Sequence, residues 1–308
     1  KSQGVNNTDG QFDNRNNNFY SEWLPMVHMR YKIRGNVILR AAITKTIYRP
    51  AFLHKTPWER IIPNENLIER GNPSLQHGTT WNYDIALSNK FEKIGFLSLA
   101  LFYKNISQLD YIRQGIEFAP GNTYGYELIQ PENIDKNTKI RGIEIDRQTN
   151  FTRLPFPFDG LLFSANVSFI RSETWFPILF TAQSPFRVII GERKGRLPGQ
   201  VDFIYNMSLG YERKGFSGRI SAIYQSGSLS HGDQISLRPG GFSVSVGKIP
   251  EEDVYSRAIF RIDLALKQKI NKYATIFLNA NNLSNQFEEE FVNAGLVTRT
   301  EYFGFTAD

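Results

Sequence analysis

Side chains able to bind metal or move protons are present in this chain, but their spacing suits neither task. The four histidines, His28, His54, His77 and His231, are spread along the sequence without ligand spacing. No cysteine is present, which excludes disulfides, thiolate metal sites and cysteine nucleophiles. Glu251-Glu252-Asp253 and Glu288-Glu289-Glu290 are carboxylate runs expected in loops and solvated there. Glycoside hydrolysis needs two carboxylates held at a fixed separation across a cleft. The Asn6–Asn18 stretch contains Asp9-Gly10 and Asp13-Asn14 but lacks the ordered ligands and closing Glu of a calcium loop. It is expected to be a polar loop. Gly121-Asn122-Thr123-Tyr124-Gly125 and Arg238-Pro239-Gly240-Gly241 are turn sequences, without the following helix that a phosphate-binding fingerprint requires. Neither enzymatic activity nor a metal or cofactor is expected.

The elements that carry these residues are those of an all-β protein. The hydrophobic share of 41% is too low for a bundle of membrane helices, and no run approaches the roughly 18 apolar residues of a spanning helix. The most apolar run, Ile94 to Tyr103, has the length of one membrane-barrel strand. Aromatic residues make up 14% of the chain, and aromatic side chains fit pleated sheets. The net charge is +6, but the basic residues are scattered, so nucleic acid is not an expected partner.

Apolar and polar residues alternate with period two, because successive strand side chains face opposite sides of a sheet. Val201, Phe203, Tyr205, Met207, Leu209 and Tyr211 alternate with Asp202, Ile204, Asn206, Ser208, Gly210 and Glu212. Val37–Ile47, Trp81–Phe91, Leu97–Asn105, Leu161–Ser172, Phe216–Gln225, Phe260–Ile270 and Ala274–Leu283 behave alike. Trp23–Ile33, Lys139–Arg147 and Val297–Ala307 are weaker candidates. The pattern predicts about eleven strands of membrane-spanning length.

Connection length alternates as well. Arg34–Gly35, Glu92–Gly95, Lys214–Gly215 and Asn271–Lys272 are short, with a slightly longer connection around Thr152–Gly160. Arg49–Thr80, Tyr111–Asn137, Glu173–Arg196, Ser228–Ser256 and Ser284–Leu296 are long. Short periplasmic turns opposite long extracellular loops are the arrangement of an antiparallel transmembrane β-barrel. Tyr31, Phe91, Phe96, Tyr211 and Phe216 fall beside short turns, and Tyr48, Trp81, Tyr103 and Tyr224 beside long loops. Two such bands fit two membrane interfaces. The other face then points into the lumen and carries Arg40, Asn82, Asp84, Lys104, Glu144, Asp146, Asn206, Glu212, Arg219, Arg261, Asp263, Asn279 and Asn281. Facing lipid, an Arg or Lys at midplane would cost about 2–4 kcal/mol.

Ordered motifs add a resemblance. Tyr48-Arg49-Pro50-Ala51-Phe52, then Glu69-Arg70-Gly71-Asn72-Pro73-Ser74-Leu75 and Trp81-Asn82-Tyr83, are similar to signatures of the TonB-dependent outer-membrane receptors. Phe102-Tyr103-Lys104-Asn105-Ile106, Ile140-Arg141-Gly142-Ile143-Glu144-Ile145, Arg196-Leu197-Pro198-Gly199-Gln200 and Asn281-Asn282-Leu283-Ser284-Asn285 match in order and spacing. The resemblance covers nearly the whole chain. It implies residues 1–308 as the C-terminal portion of a 22-stranded barrel in the outer membrane of a Gram-negative bacterium. The plug domain, the TonB-contacting segment and the rest of the barrel are expected outside this sequence, and no secretion signal opens it at Lys1.

The resemblance further implies uptake of a scarce nutrient, whether siderophore, cobalamin, oligosaccharide or peptide. The implied partners are TonB, the imported ligand, outer-membrane lipid and lipopolysaccharide. Ligand contacts in the family come from the extracellular loops and the plug. The candidates here are Trp58, Arg60, Tyr124, Tyr126, Trp175, Phe176 and Arg193, since aromatics beside cations can stack on ligand rings. Two other readings are a passive porin or structural barrel, and a soluble β-sandwich or propeller binding glycans. In the soluble fold Leu209 would be a buried core position.

Overall fold

The computed structural model describes residues 2–4, 14–16, 20–92, 95–117, 121–151, 154–183, 186–231, 253–292, 297–302 and 306–307. Residues 2–4 and 14–16 form a short antiparallel pair. The rest of the Asn6–Asn18 stretch, Arg238–Gly241 and Glu251-Glu252 lie outside the described residues.

The alternating segments build one antiparallel wall. Its strands in chain order are β1 (Met26–Arg34), β2 (Val37–Tyr48), β3 (Gly78–Phe91), β4 (Gly95–Ser107), β5 (Thr138–Asn150) and β6 (Leu161–Gln183). They continue as β7 (Phe203–Arg213), β8 (Phe216–Gln225), β9 (Ile259–Lys269), β10 (Thr275–Asn281) and β11 (Thr306–Ala307). Each strand pairs with its sequence neighbours, and among the described residues β1 and β11 do not meet, so the wall is open. A further strand, Phe186–Gly195, pairs with the upper part of β6.

Register sorts the side chains into two faces. One row reads Leu39, Leu87, Leu99, Ile145, Val167, Tyr205, Tyr224 and Phe260 across eight strands. These apolar residues are not packed under another layer: Leu99 is 45% exposed and Leu209 is 47% exposed. The soluble-sandwich expectation of a buried Leu209 is therefore not met.

The opposite face is polar and tied together across strands. The Asn82 amide donates to Thr46 Oγ1 at 3.2 Å and accepts from Lys104 Nζ at 3.0 Å. Arg40 donates to Ser88 Oγ at 2.9 Å, and the Ser164 and Ser208 hydroxyls bond at 2.8 Å. Gly142 sits on this face because the Phe102 ring lies over it. A Cβ there would come within 2.5 Å of the Phe102 ring and 2.6 Å of the Phe169 carbonyl. An aromatic covering a glycine pins strand register. Gly142→Ala is expected to destabilise the wall by about 1–3 kcal/mol, as overpacking does, read as a lowered unfolding temperature in detergent.

Connections alternate as the sequence predicts, with tight turns at one end. At the β7–β8 turn both Lys214 (φ 45°) and Gly215 (φ 83°) are left-handed, the geometry of a two-residue hairpin whose twist matches its strands. The aromatic bands also form. Tyr83 and Tyr103 lie 6.0 Å apart and Tyr205 and Tyr224 5.6 Å apart towards the long loops, and Tyr211 and Phe216 lie 6.3 Å apart at the short-turn end. Two residues leave the bands: Tyr48 pairs with Gly78, and Phe96 with Lys90 and Gln148. That parity puts both on the polar face, one residue out of step with the apolar rows.

The long connections, expected as loops, are largely β-structure. Glu59–Ile62, Leu67–Arg70, Glu127–Asn133 and Asp110–Ile116 form a four-stranded sheet, with a parallel pair between 67–69 and 127–129. Ser228–His231, Val254–Ser256, Phe287–Val292 and Val297–Tyr302 form another. Two expectations are corrected here. The Glu288–Glu290 run is a strand, with Glu289 held by Arg257 at 2.8 Å. Val297–Ala307 is not one wall strand, because Val297–Tyr302 pairs with Phe287–Val292 and only Thr306–Ala307 reaches β10. The buried apolar side chains gather in this cap: Ile68, Leu75, Leu128, Ile134, Phe176, Val201, Leu229 and Val254. Phe176 comes from the upper end of β6 where it enters this cap, and below the cap the wall contributes Ala280 alone among the described buried apolar residues.

Candidate ligand-binding cleft

Where β6 rises past the end of β7 it enters the cap, and a cleft of about 540 Å³ opens beside it. Tyr111, Arg113 and Glu132 line it from the paired strands Asp110–Ile116 and Glu127–Asn133, Lys136 comes from the approach to β5, and Trp175 and Phe176 come from β6. The strand partners put Tyr111 directly opposite Glu132. Arg113 Nη1 reaches Glu132 Oε1 at 2.8 Å. Burial, followed by the negative field of Glu132, pushes the Tyr111 phenol well above its ordinary range. It stays protonated and able to donate a hydrogen bond.

The aromatic side of the cleft is set by cations. Lys136 Nζ stands 4.0 Å above the Trp175 ring and also pairs with Glu192. Behind Phe176, the Arg193 guanidinium lies 5.1 Å from its ring and donates to the buried Asp253 carboxylate at 2.9 Å. Phe176 is 4% exposed and covers Gly195, where a Cβ would meet its ring at 2.7 Å. Below it the Thr138 and Thr174 hydroxyls bond at 2.7 Å, both fully buried. Phe176 and Arg193 thus form the fixed backing, while the Trp175 face and the Arg113–Glu132 and Lys136–Glu192 pairs border open space.

The seven loop candidates separate. Trp175, Phe176 and Arg193 come together at the cleft. Trp58 and Arg60 do not join them: Trp58 Nε1 donates to the Leu53 carbonyl at 2.8 Å, and Arg60 Nε donates to Glu69 at 2.8 Å. Tyr124 and Tyr126 sit at the turn after Gly121, with Tyr124 64% exposed. Sequence reading missed Tyr111, Arg113, Glu132, Lys136 and Glu192. The alternation of 111–113 was the available signal, but its partner strand is interrupted by Pro131. The eleven polar wall residues Arg40, Asp84, Lys104, Glu144, Asp146, Asn206, Glu212, Arg219, Arg261, Asp263 and Asn279 share the polar face by register. Arg219, Asp263 and Asn279 line one hollow of about 310 Å³ there.

Of the histidines, His77 Nε2 meets Glu22 at 3.1 Å and His54 Nδ1 meets Asp110 at 3.4 Å. His28 lies on β1, and the side chain of His231 is outside the described ones. Among the described residues no three His, Cys, Asp or Glu side chains gather as metal ligands.

Comparison with known proteins places this architecture. A family model described as "TonB dependent receptor-like, beta-barrel" matches residues 1–283. No curated protein sequence matches the chain. Among solved structures, the ferric enterobactin receptor PfeA of Pseudomonas aeruginosa superposes with a TM-score of 0.60 at 15% identity, over 93% of this chain and 40% of that one. The copper transporter OprC gives 0.59 at 12%, over 92% and 38%. The siderophore receptor PirA of Acinetobacter baumannii gives 0.55 at 12%, over 86% and 37%. These likenesses show the fold, and the chain spans about two fifths of the length of each.

Proposed function

The chain belongs to the TonB-dependent receptor-like β-barrel family, and on that premise we propose that it forms part of the wall of an outer-membrane receptor that imports a scarce nutrient. The observation that carries this reading is the two-faced wall. An uncovered apolar face suits lipid, because between the two open edges of the wall the backbone is paired strand to strand. A hydrogen-bonded polar face suits a hydrated lumen. In this reading Arg40, Asp84, Lys104 and Glu144 border the lumen, and the cap is extracellular. The plug and the segment that contacts TonB belong to the remainder of the receptor.

The cleft beside Trp175 is the ligand-capture surface of this reading. Its open ring and charged pairs suit a compact ligand carrying a ring and several polar groups, as siderophores and oligosaccharides do. The solved receptors of like fold bear siderophore and copper names, which makes ferric siderophores the first class to assay. Trp175→Ala in the full receptor is expected to raise the Kd for its ligand about tenfold, a loss of about 1–2 kcal/mol, measured by titration calorimetry.

The import reading is tested in cells whose growth on the limiting nutrient depends on this receptor. Removing TonB should abolish uptake to the same degree as removing the receptor. Uptake that persists without TonB would make the protein a passive porin instead.

A further inference from the structure

An aromatic ring, a cation and a carboxylate come together twice in the cap, on consecutive residues of β6. Phe176 has Arg193 over its ring and Asp253 beside the guanidinium. That copy is closed: two nitrogens of Arg193 reach the two oxygens of Asp253, whose side chain is 3% exposed. Trp175 has Lys136 over its ring and Glu192 paired with the ammonium. That copy is open: the Lys136 and Glu192 side chains are 50% and 38% exposed, and all three groups line the cleft. An arginine fork held at both ends is a fixed fitting, whereas a lysine is a point charge on a flexible stem. An exposed lysine pair also adds little to stability, so the second cation is replaceable.

Charge around the cleft points the same way. Its lining carries two cations, Arg113 and Lys136, against three carboxylates, Glu132, Asp135 and Glu192, and Arg113 is engaged by Glu132. With Lys136 swung aside, one cation remains among three acids beside the Trp175 ring. Carboxylates and an indole face both attract a cation, while an anion entering there would be repelled by Asp135 and Glu192. We propose that the cleft takes a compact ligand bearing a primary ammonium group, and that Lys136 occupies that group's place on Trp175 until the ligand displaces it. The ligand's ammonium then stands over the indole and pairs with Glu192, while Tyr111 and Asn133 offer hydrogen bonds to its uncharged polar groups. Amino sugars and basic peptides both carry this group. The inference rests on reading the cleft as the capture surface.

The full receptor in mild detergent is titrated calorimetrically with a glucosamine trimer, with a lysine tripeptide, and with the fully N-acetylated form of each. At least one amine is expected to bind, which identifies the source of the ammonium, and its acetylated form should bind about tenfold more weakly. Lys136→Met should tighten the amine about threefold by removing the competing cation, whereas loss of a ligand contact would weaken it. Glu192→Gln should weaken the amine about tenfold, and heat-modifiable mobility on gels shows that each variant is folded. Binding of neither amine, equal binding of the acetylated form, unchanged or weaker binding to Lys136→Met, or unchanged binding to Glu192→Gln overturns the proposal. Trp175→Ala, assayed for uptake of the growth-limiting nutrient, tells two failures apart. Impaired uptake with neither amine bound leaves the cleft as the capture surface and overturns only the charge of its ligand. Unchanged uptake overturns the capture surface and the ammonium site with it.

Discussion

Leu209→Arg should prevent stable insertion of the wall while leaving a soluble fold of the same sheet almost untouched. Leu209 lies near the middle of β7, between Phe163 and Ile220 on the apolar face, and is 47% exposed. In a protein surrounded by water, a charge at a half-exposed site away from any special feature changes stability by about 0.5 kcal/mol or less. In hydrocarbon the same arginine costs about 2–4 kcal/mol at midplane. The difference is large enough to read as loss of the heat-resistant folded form in an outer-membrane fraction. A normal level of that form in the Leu209→Arg variant would mean that this face does not meet lipid. Asn206→Arg, at an exposed position on the polar face of the same strand, is the control, because it leaves the apolar face unchanged.

The second large effect is expected in the cap, away from the middle of the wall. A Cβ on Gly71 would stand 2.0 Å from the Thr56 carbonyl oxygen, 3.0 Å from Trp58 Nε1 and 3.1 Å from the Leu53 carbonyl. Two of those three atoms are backbone, so no rotamer relieves the contact. Gly71 also donates its N–H to the Trp58 carbonyl at 3.0 Å, and the next residue donates to the His54 carbonyl at 2.7 Å. Asn72 Nδ2 reaches the Pro131 carbonyl at 2.9 Å, joining one long connection to the other. Leu75, four residues on from Gly71, is 1% exposed. Gly71→Val is expected to unseat this corner at about 3 kcal/mol, the upper part of the range for overpacking. Limited proteolysis should then cut between residues 52 and 75 while the wall stays intact. An unchanged cleavage pattern would show that the corner does not hold the cap.

The wall was legible because its signal is local. Period-two alternation within eleven or twelve residues specifies both a strand and its two faces, and neighbouring strands pair in chain order, so no distant contact had to be guessed. Leu99 and Leu209 therefore fell on the right face from parity alone. The cap was not legible, because its strands find partners across the connections. Glu59–Ile62 is four residues long, too short for a pattern, and Arg70 is held by Glu117 at 2.9 Å from 47 positions away. Pro131 inside Glu127–Asn133 argues against a strand on composition, yet that strand forms. The cleft follows the same rule. Trp175, Phe176 and Arg193 could be found as aromatics near cations on a single hairpin, whereas Tyr111 and Glu132 needed the cap sheet. Tyr48 and Phe96 mark the resolution limit, since one residue of parity at a strand end moves a ring to the opposite face.

The parallel pairing of 67–69 with 127–129 has a consequence for assembly. Every wall hairpin can close between neighbours in sequence, which is the fast, low-contact-order part of folding. The parallel pair joins the β2–β3 and β4–β5 connections, and the β3–β4 hairpin lies between them, so its register sets how the two cap strands meet. A two-residue slip between β3 and β4 would carry one cap strand about 7 Å past the other, out of reach of the Arg70–Glu117 and Arg70–Gln130 contacts. The cap contacts and the offset of β3 on β4 are thus one geometric condition: the first are met only when the second is correct.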